Sequence, residues 1–448
     1  LLAVNNRLLV LRNNYEYNKL EIDSLTIQQR ELEQQLSHKC QSYNEYETYL
    51  DIDYEKVRNS LADHEVVVDF SDYQTEDSVR QYAAYIYDKD KSHPLLVKCF
   101  DQQQLDSLLD GMQNFTLYNY EQLQDRASKL IWNPIEASIA KGSTVYYIPS
   151  GVMHGIALEA LPLSDGTTLG QHYDFVRLTS AREIVNAHHS NKINRTATLY
   201  GGLQYSLDPQ KMEEESKVYE KSDLAGLVRS EYGESGFKVL RNTKDEVKKI
   251  EKTLVDNGFS VKAYLGSKGN AESFVALDGK SPSIVHIATH GFYYTPDEAK
   301  DKDFLSGYTD AMSLSGLVFA GGNAAWLGKE NVDGVLGGVL TAKDIANLDF
   351  KGTDLLVLSA CKTGQGKVTA EGVFGLQRAF KKAGVGTIIM SLWNVDDKVT
   401  SEFMVAFYEQ LTDKANNWNK RKAFEQTKEI IRKNHPDPYY WAAFVMLD

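Results

Sequence analysis

Two apolar runs in this sequence end in side chains that can do chemistry. SIVHIATHGFYY, from Ser283, delivers His290 followed by Gly291, and DLLVLSACKTGQG, from Asp354, delivers Cys361 followed by a glycine-containing turn. Ligands of open α/β sheets bind at the carboxyl ends of the strands, and both residues stand there if each run is a strand. A histidine and a cysteine at such a place can serve as base and nucleophile, the pair needed for acyl transfer through a thioester. A free cysteine is also a common small core residue. The neighbours of Cys361 argue for more: Gly364 and Gly366 permit a tight turn with N–H groups converging near the sulfur, and Lys362 favours the thiolate.

Three other stretches invite and then fail a chemical reading. His286 and His290 have the spacing of a zinc-binding helix, but Ile287 stands where the catalytic Glu would be and the segment reads as strand, so no metal site and no cofactor is expected. GGNAAWLGKE resembles a phosphate loop, yet five residues rather than four separate Gly322 from Gly328, and Glu330 replaces the magnesium-binding hydroxyl. His154-Gly155 lies in a Pro/Gly turn with no cysteine-bearing apolar run after it in the same region.

The elements that would position His290 and Cys361 follow from composition. A chain of 448 residues, 42% hydrophobic, has room for two or three domains. From Tyr54 a short helix leads to three strand-like runs (EVVVDFSDY, AAYIYDK, PLLVKCFD), a helix over YEQLQDRASKLIWNPIEASI and a further run, STVYYIPSG. After HHSNKINR the alternation restarts with TATLYGG, the helix TKDEVKKIEKTLVDNG, FSVKAYLG and the two chemical runs, then GVGTIIMSLW. Strands alternating with helices indicate α/β layers, and the near-continuous apolar runs indicate central parallel strands covered on both faces. Thr243 and Glu246 have the spacing of a capping box. Thr295 to Gly334, polar and glycine-rich, reads as a long functional loop that rearranges on activation.

The first 53 residues have heptad-like apolar spacing and no Gly or Pro, so they read as long helices: a coiled hairpin, or the end of a helical repeat array. The start at Leu1 rather than Met suggests a piece of a longer protein. A formal net charge of −13 provides no basic field for nucleic acid, so a protein or peptide partner is expected. Three distant cysteines (Cys40, Cys99, Cys361) suggest neither a disulfide framework nor a zinc knuckle, which fits a reducing cytoplasm. No run approaches the roughly 20 apolar residues of a membrane helix.

From about Asp53 to Asp448 the sequence resembles the CHAT domain, a bacterial relative of caspases and separases. The matching pieces are YYIPSGVMHGIALEALPL, TKDEVKKIEKTL, HIATHGFY, DLLVLSACKTGQG, EGVFGLQRAFKKAGVGTIIMSLWNVDDKVT and the terminal YYWAAFVMLD. Ser150 departs from the acidic residue usual in the family's I-P-D-G turn. The resemblance implies a caspase-like three-layer sandwich with a mainly parallel sheet. It also implies a division into a helical segment (1–53), a catalytically silent caspase-like domain (54–195) and an active peptidase domain (196–448). It makes Cys361 the nucleophile and His290 the general acid/base of a cysteine endopeptidase, with the N–H groups of Gly291 and Cys361 as oxyanion donors.

Asp396 and Asp397 follow the run GTIIMSLW, at the edge where a substrate side chain would lie. Both could equally be helix-capping carboxylates. Separases carry a similar L-W-x-V-x-D segment whose final Asp, matching Asp397, binds the basic side chain before the scissile bond, which implies cleavage after Arg or Lys. The family further implies a protein substrate, such as a gasdermin-like or other defence effector, and an activating partner bound through N-terminal helical repeats. A scaffold or sensor with a vestigial dyad is the competing class, and an acyltransferase or amidase a third.

Overall fold

The computed structural model describes residues 49–109, 114–118, 123, 125–186, 194–219, 235–294, 312–328, 332, 334–359 and 370–448, together with residues 21, 24, 25, 27 and 28. Cys40 and Cys361, and most of the N-terminal segment expected to be helical, lie outside the described residues.

The first half supplies β1 (Glu65–Gln74), β2 (Arg80–Tyr87), β3 (Leu95–Asp101), β4 (Thr144–Ile148) and β5 (Asp174–Arg177). The second supplies β6 (Thr196–Leu203), β7 (Ser260–Gly266) and β8 (Ile284–Ile287). A small antiparallel sheet follows, made of β9 (His290–Tyr293), β10 (Ser315–Val318) and β11 (Val339–Thr341). The chain then adds β12 (Leu355–Leu358), β13 (Thr387–Ser391) and β14 (Phe444–Leu447). The two halves form one eleven-stranded sheet, ordered β3-β2-β1-β4-β5-β14-β13-β12-β8-β6-β7. From β1 to β7 every neighbouring pair is parallel except β13 with β14, while β1, β2 and β3 are antiparallel. This is the largely parallel α/β sheet that the alternating apolar runs predict.

Both faces of the sheet are covered, and the strand period shows how. In β1, Val66, Val68 and Phe70 enter the main core, whereas Val67 enters a second cluster with Ile52, Val57, Leu61, Ile148 and Val176. Val57 belongs to α1 (Tyr54–Ser60), which is capped by Asp53 accepting from the Lys56 N–H. In the second half of the sheet, four-residue β8 and β12 are buried throughout. His286 of β8 meets Glu246 of α2 (Thr243–Asp256). Tyr200 of β6, opposite Ile287 and so on the other face, packs on Phe274 of α3 (Ala271–Val275). Phe274 in turn packs on Phe380 of α4 (Ala370–Lys382), which completes the three layers there.

The seam between the halves is polar as well as apolar. Beside the pairing of Arg177 with Leu447, α6 (Lys420–Asn434) sends Arg421 to the Phe175 carbonyl at 3.1 Å and Lys428 to Glu159 at 2.7 Å. Among the described residues no helix is long and apolar enough to cross a membrane.

Three local expectations are corrected. The capping box at α2 does not form: Asn242 holds the cap position, Thr243 Oγ1 donates to the Leu240 carbonyl, and Glu246 turns inward. The buried imidazole of His286 needs a polar partner more than an exposed helix end does. The helix expected through YEQLQDRASKLIWNPIEASI is interrupted, with Arg126–Ile131 and Asn133–Glu136 separated at Trp132. Pro134 lacks the N–H that would continue the first helix. The long loop from Thr295 to Gly334 is in part core structure, since residues 312–328 contain β10 and a helix, Gly322–Trp326, with Leu314, Leu317, Val318 and Phe319 buried. Gly316 disguises that strand in the sequence. A Cβ there would lie 2.2 Å from the Leu340 carbonyl, so the close approach of β11 requires glycine.

Candidate active site

β8 and β12 run side by side and in parallel, with Leu358 opposite Ile287, and the Ser359 N–H donates to the Ile287 carbonyl at 3.0 Å. His290 is the third residue past the end of β8, and Cys361 the third past the end of β12. The described chain stops at Ser359 on the second of these paths, so the geometry of the site is that of His290.

Past Ile287 the chain leaves the large sheet and enters the small one, where His290 pairs with Val318. Thr289 makes the transition: its Oγ1 donates to the Val318 carbonyl and lies 3.0 Å from the Tyr205 hydroxyl. The His290 ring is buried, with Tyr205 and Phe237 at centroid distances of 4.8 and 4.9 Å. Its Nε2 is 2.8 Å from the Lys238 carbonyl. A carbonyl only accepts, so Nε2 carries the proton and, in the neutral ring, Nδ1 carries the lone pair. Gly291 follows in β9, and among the described residues a Cβ built on it would come nearest to the Gly316 carbonyl, at an ordinary 3.5 Å. Packing against the described residues therefore does not demand glycine at that position.

The two aspartates have different surroundings. Asp396 is the exposed N-cap of α5 (Asp397–Thr412), its carboxylate accepting from the Lys398 N–H at 2.9 Å. Asp397 is half-buried at the first helical position. Its charge reaches Tyr205, whose phenol is pushed up chiefly by burial, with the Asp397 carboxylate acting in the same direction. Asp397 thus stands near the ring that packs on His290. The loop before these aspartates is braced by residues that sequence reasoning passed over. Trp393 Nε1 donates to the Tyr439 carbonyl, the Tyr439 hydroxyl donates to the Asn394 carbonyl, and Tyr118 of the first half stacks on Trp393 at 5.3 Å.

Below the site, His286 Nε2 is 2.9 Å from Glu246 Oε1, both side chains essentially inaccessible, and Tyr408 of α5 packs its ring against the same imidazole. His286 is thereby engaged, and among the described residues no group of three or more His, Cys, Asp or Glu could hold a metal ion. In the first half, His154 sits in a turn, Gly151–Gly155, with its own carbonyl accepting from Arg177 at 2.7 Å.

A family model describing the CHAT domain matches residues 122–448. The chain belongs to the CHAT domain family. Among curated relatives of this CHAT chain, tetratricopeptide repeat protein 28 of Homo sapiens is 32% identical and that of Mus musculus 31%, each over 111 residues. The match spans 24% of the chain and only 4% of either relative. Among solved structures, the Saccharomyces cerevisiae separase–securin complex is similar at 14% identity and a TM-score of 0.36, over 73% of this chain and 17% of that one. The Arg-specific cysteine proteinase gingipain R is similar at 10% identity and a TM-score of 0.38, over 76% and 68%.

Proposed function

We propose that this CHAT chain is a cysteine endopeptidase with Cys361 as nucleophile and His290 as general acid/base. The observation that carries the reading is the buried His290 at the carboxyl end of β8, its Nε2–H committed to the Lys238 carbonyl, beside the strand that leads to Cys361. In the mechanism this supports, Nδ1 of His290 takes the thiol proton and the thiolate attacks the peptide carbonyl. The N–H groups of Gly291 and Cys361 stabilise the oxyanion. The imidazolium then protonates the leaving amine, and water, deprotonated by the same ring, hydrolyses the thioester.

Asp397 is the residue we assign to a basic side chain preceding the scissile bond, because it is half-buried near Tyr205 while Asp396 is occupied at its helix end. A carboxylate shielded from water gains most from the planar fork of Arg. Residues 54–195 act in this reading as a silent companion that braces the loop before Asp397 through Tyr118. The family resemblance suggests the setting: a cytoplasmic enzyme of bacterial defence, a gasdermin-like or similar effector as substrate, and activation by a partner on helical repeats preceding residue 54.

The deciding experiment compares new protein N-termini after incubation with wild type and with Cys361→Ala, alongside labelling by a covalent peptide probe. New termini after Arg or Lys that need both Cys361 and His290 are expected. Probe labelling of Cys361 that is indifferent to His290→Ala, with no new termini, would instead favour a scaffold or sensor.

A further inference from the structure

The stretch GGNAAW, which imitates a phosphate loop in the sequence, folds into the short helix Gly322–Trp326 beside His290. Its Asn323 is buried, and the amide grips the backbone of one residue at both ends. Oδ1 accepts from the Phe237 N–H at 2.7 Å, and Nδ2 donates to the Phe237 carbonyl at 3.0 Å. The amide also donates to Ser206 Oγ at 2.9 Å, and the Asn323 N–H donates to the Tyr205 carbonyl at 2.9 Å. From the same helix, Trp326 packs on the Phe237 ring with centroids 4.5 Å apart. Gly236 is fitted to this grip, since a Cβ there would lie 3.0–3.1 Å from three atoms of the Asn323 amide. The next residue after Phe237 is Lys238, whose carbonyl meets His290 Nε2.

We propose that Asn323 is a positioning residue for His290: by holding the Phe237 backbone it presents the Lys238 carbonyl and so fixes the imidazole as the Nε2–H tautomer. The inference rests on the reading of His290 as the base and adds the device that readies it. A ring protonated on Nδ1 instead would have no lone pair at the atom assigned to receive the thiol proton. Only an amide fits the task, because the Phe237 backbone offers one donor and one acceptor side by side. Aspartate would set an acceptor against the Phe237 carbonyl, and leucine, of similar size, would bond neither group.

The test reads the tautomer without needing activity. In the full chain carrying Cys361→Ala and 15N-labelled histidine, long-range proton–nitrogen spectra report the protonated nitrogen of His290, assigned by comparison with His290→Gln. The expected result is an Nε2–H ring with Asn323 present, and a shift of the tautomer ratio towards Nδ1–H of about fivefold or more in Asn323→Asp and Asn323→Leu, the equivalent of one ordinary hydrogen bond. Ser206→Ala, which removes only the third contact, is expected to leave the ratio in place. Should the Asn323 variants fail to fold, Gly236→Ala crowds the amide by a few tenths of an ångström and is expected to shift the ratio in the same direction by a smaller amount. An Nδ1–H ring in the starting protein, or an unchanged ratio in the folded Asn323 or Gly236 variants, overturns the proposal. Failure of the peptidase reading would appear separately, as absent cleavage by the wild type.

Discussion

Asp396 and Asp397 are chain neighbours with identical side chains, and the fold separates them. Asp396 accepts from the Lys398 N–H of its own helix, so Asp396→Ala is expected to cost about 1 kcal/mol of stability and to leave selectivity alone. Asp397→Asn is expected to lower kcat/KM on an Arg peptide by at least about 30-fold at unchanged stability, while a small thiol reagent still labels Cys361. Peptide kinetics and a thermal melt on the two variants distinguish these roles. Gly291 offers a second contrast. Among the described residues its Cβ would meet nothing closer than 3.5 Å, so Gly291→Ala is expected to fold and melt like wild type. If its N–H must approach a substrate oxyanion, kcat should fall by about 100-fold or more. A folded Gly291→Ala enzyme with full kcat would remove Gly291 from the mechanism. At this scale the sequence exposes His290, because a histidine ending an apolar run is a local pattern. It hides the Lys238 carbonyl, since backbone atoms leave no mark in residue types, and it hides Asn323 inside a motif that looks like something else.

At the scale of elements, the apolar runs from Ser283, Asp354 and Gly386 announce β8, β12 and β13 because central strands are buried on both faces. β10 escapes notice since Gly316, required by the nearness of β11, breaks its apolar pattern. Glu246 shows why spacing alone misleads. The T-x-x-E pattern at the start of α2 is real, but the carboxylate serves His286 across the core, a partner 40 residues away in the chain. The two readings differ in magnitude. Losing a cap would cost about 1 kcal/mol, whereas removing one member of a buried ionisable pair costs about 3–5 kcal/mol. Glu246→Leu is therefore expected to show the larger loss, read from the midpoint of urea unfolding.

The whole molecule carries one consequence of pH. Burial first, and the charge of Arg177 second, push the His154 imidazole down to about 3 from an ordinary 6.5. Between those values the unfolded chain binds a proton that the folded chain refuses, so the group costs nothing above about pH 6.5 and destabilises progressively as pH falls towards 3. His154→Gln is expected to flatten the acid side of the stability profile by up to about 1.4 kcal/mol per pH unit within that window, as measured by denaturation at pH 7, 6 and 5.

The sheet itself crosses the seam at β5 and β14, and Arg421, Lys428 and Tyr118 bind the halves beyond the strands. Chain continuity between residues 186 and 194 is thus one connection among many. A protein opened there is expected to behave as a pair of complementing fragments: each would present the strand edge, β5 or β14, that the other pairs with in the intact sheet, and their assembly would restore the braced loop before Asp397.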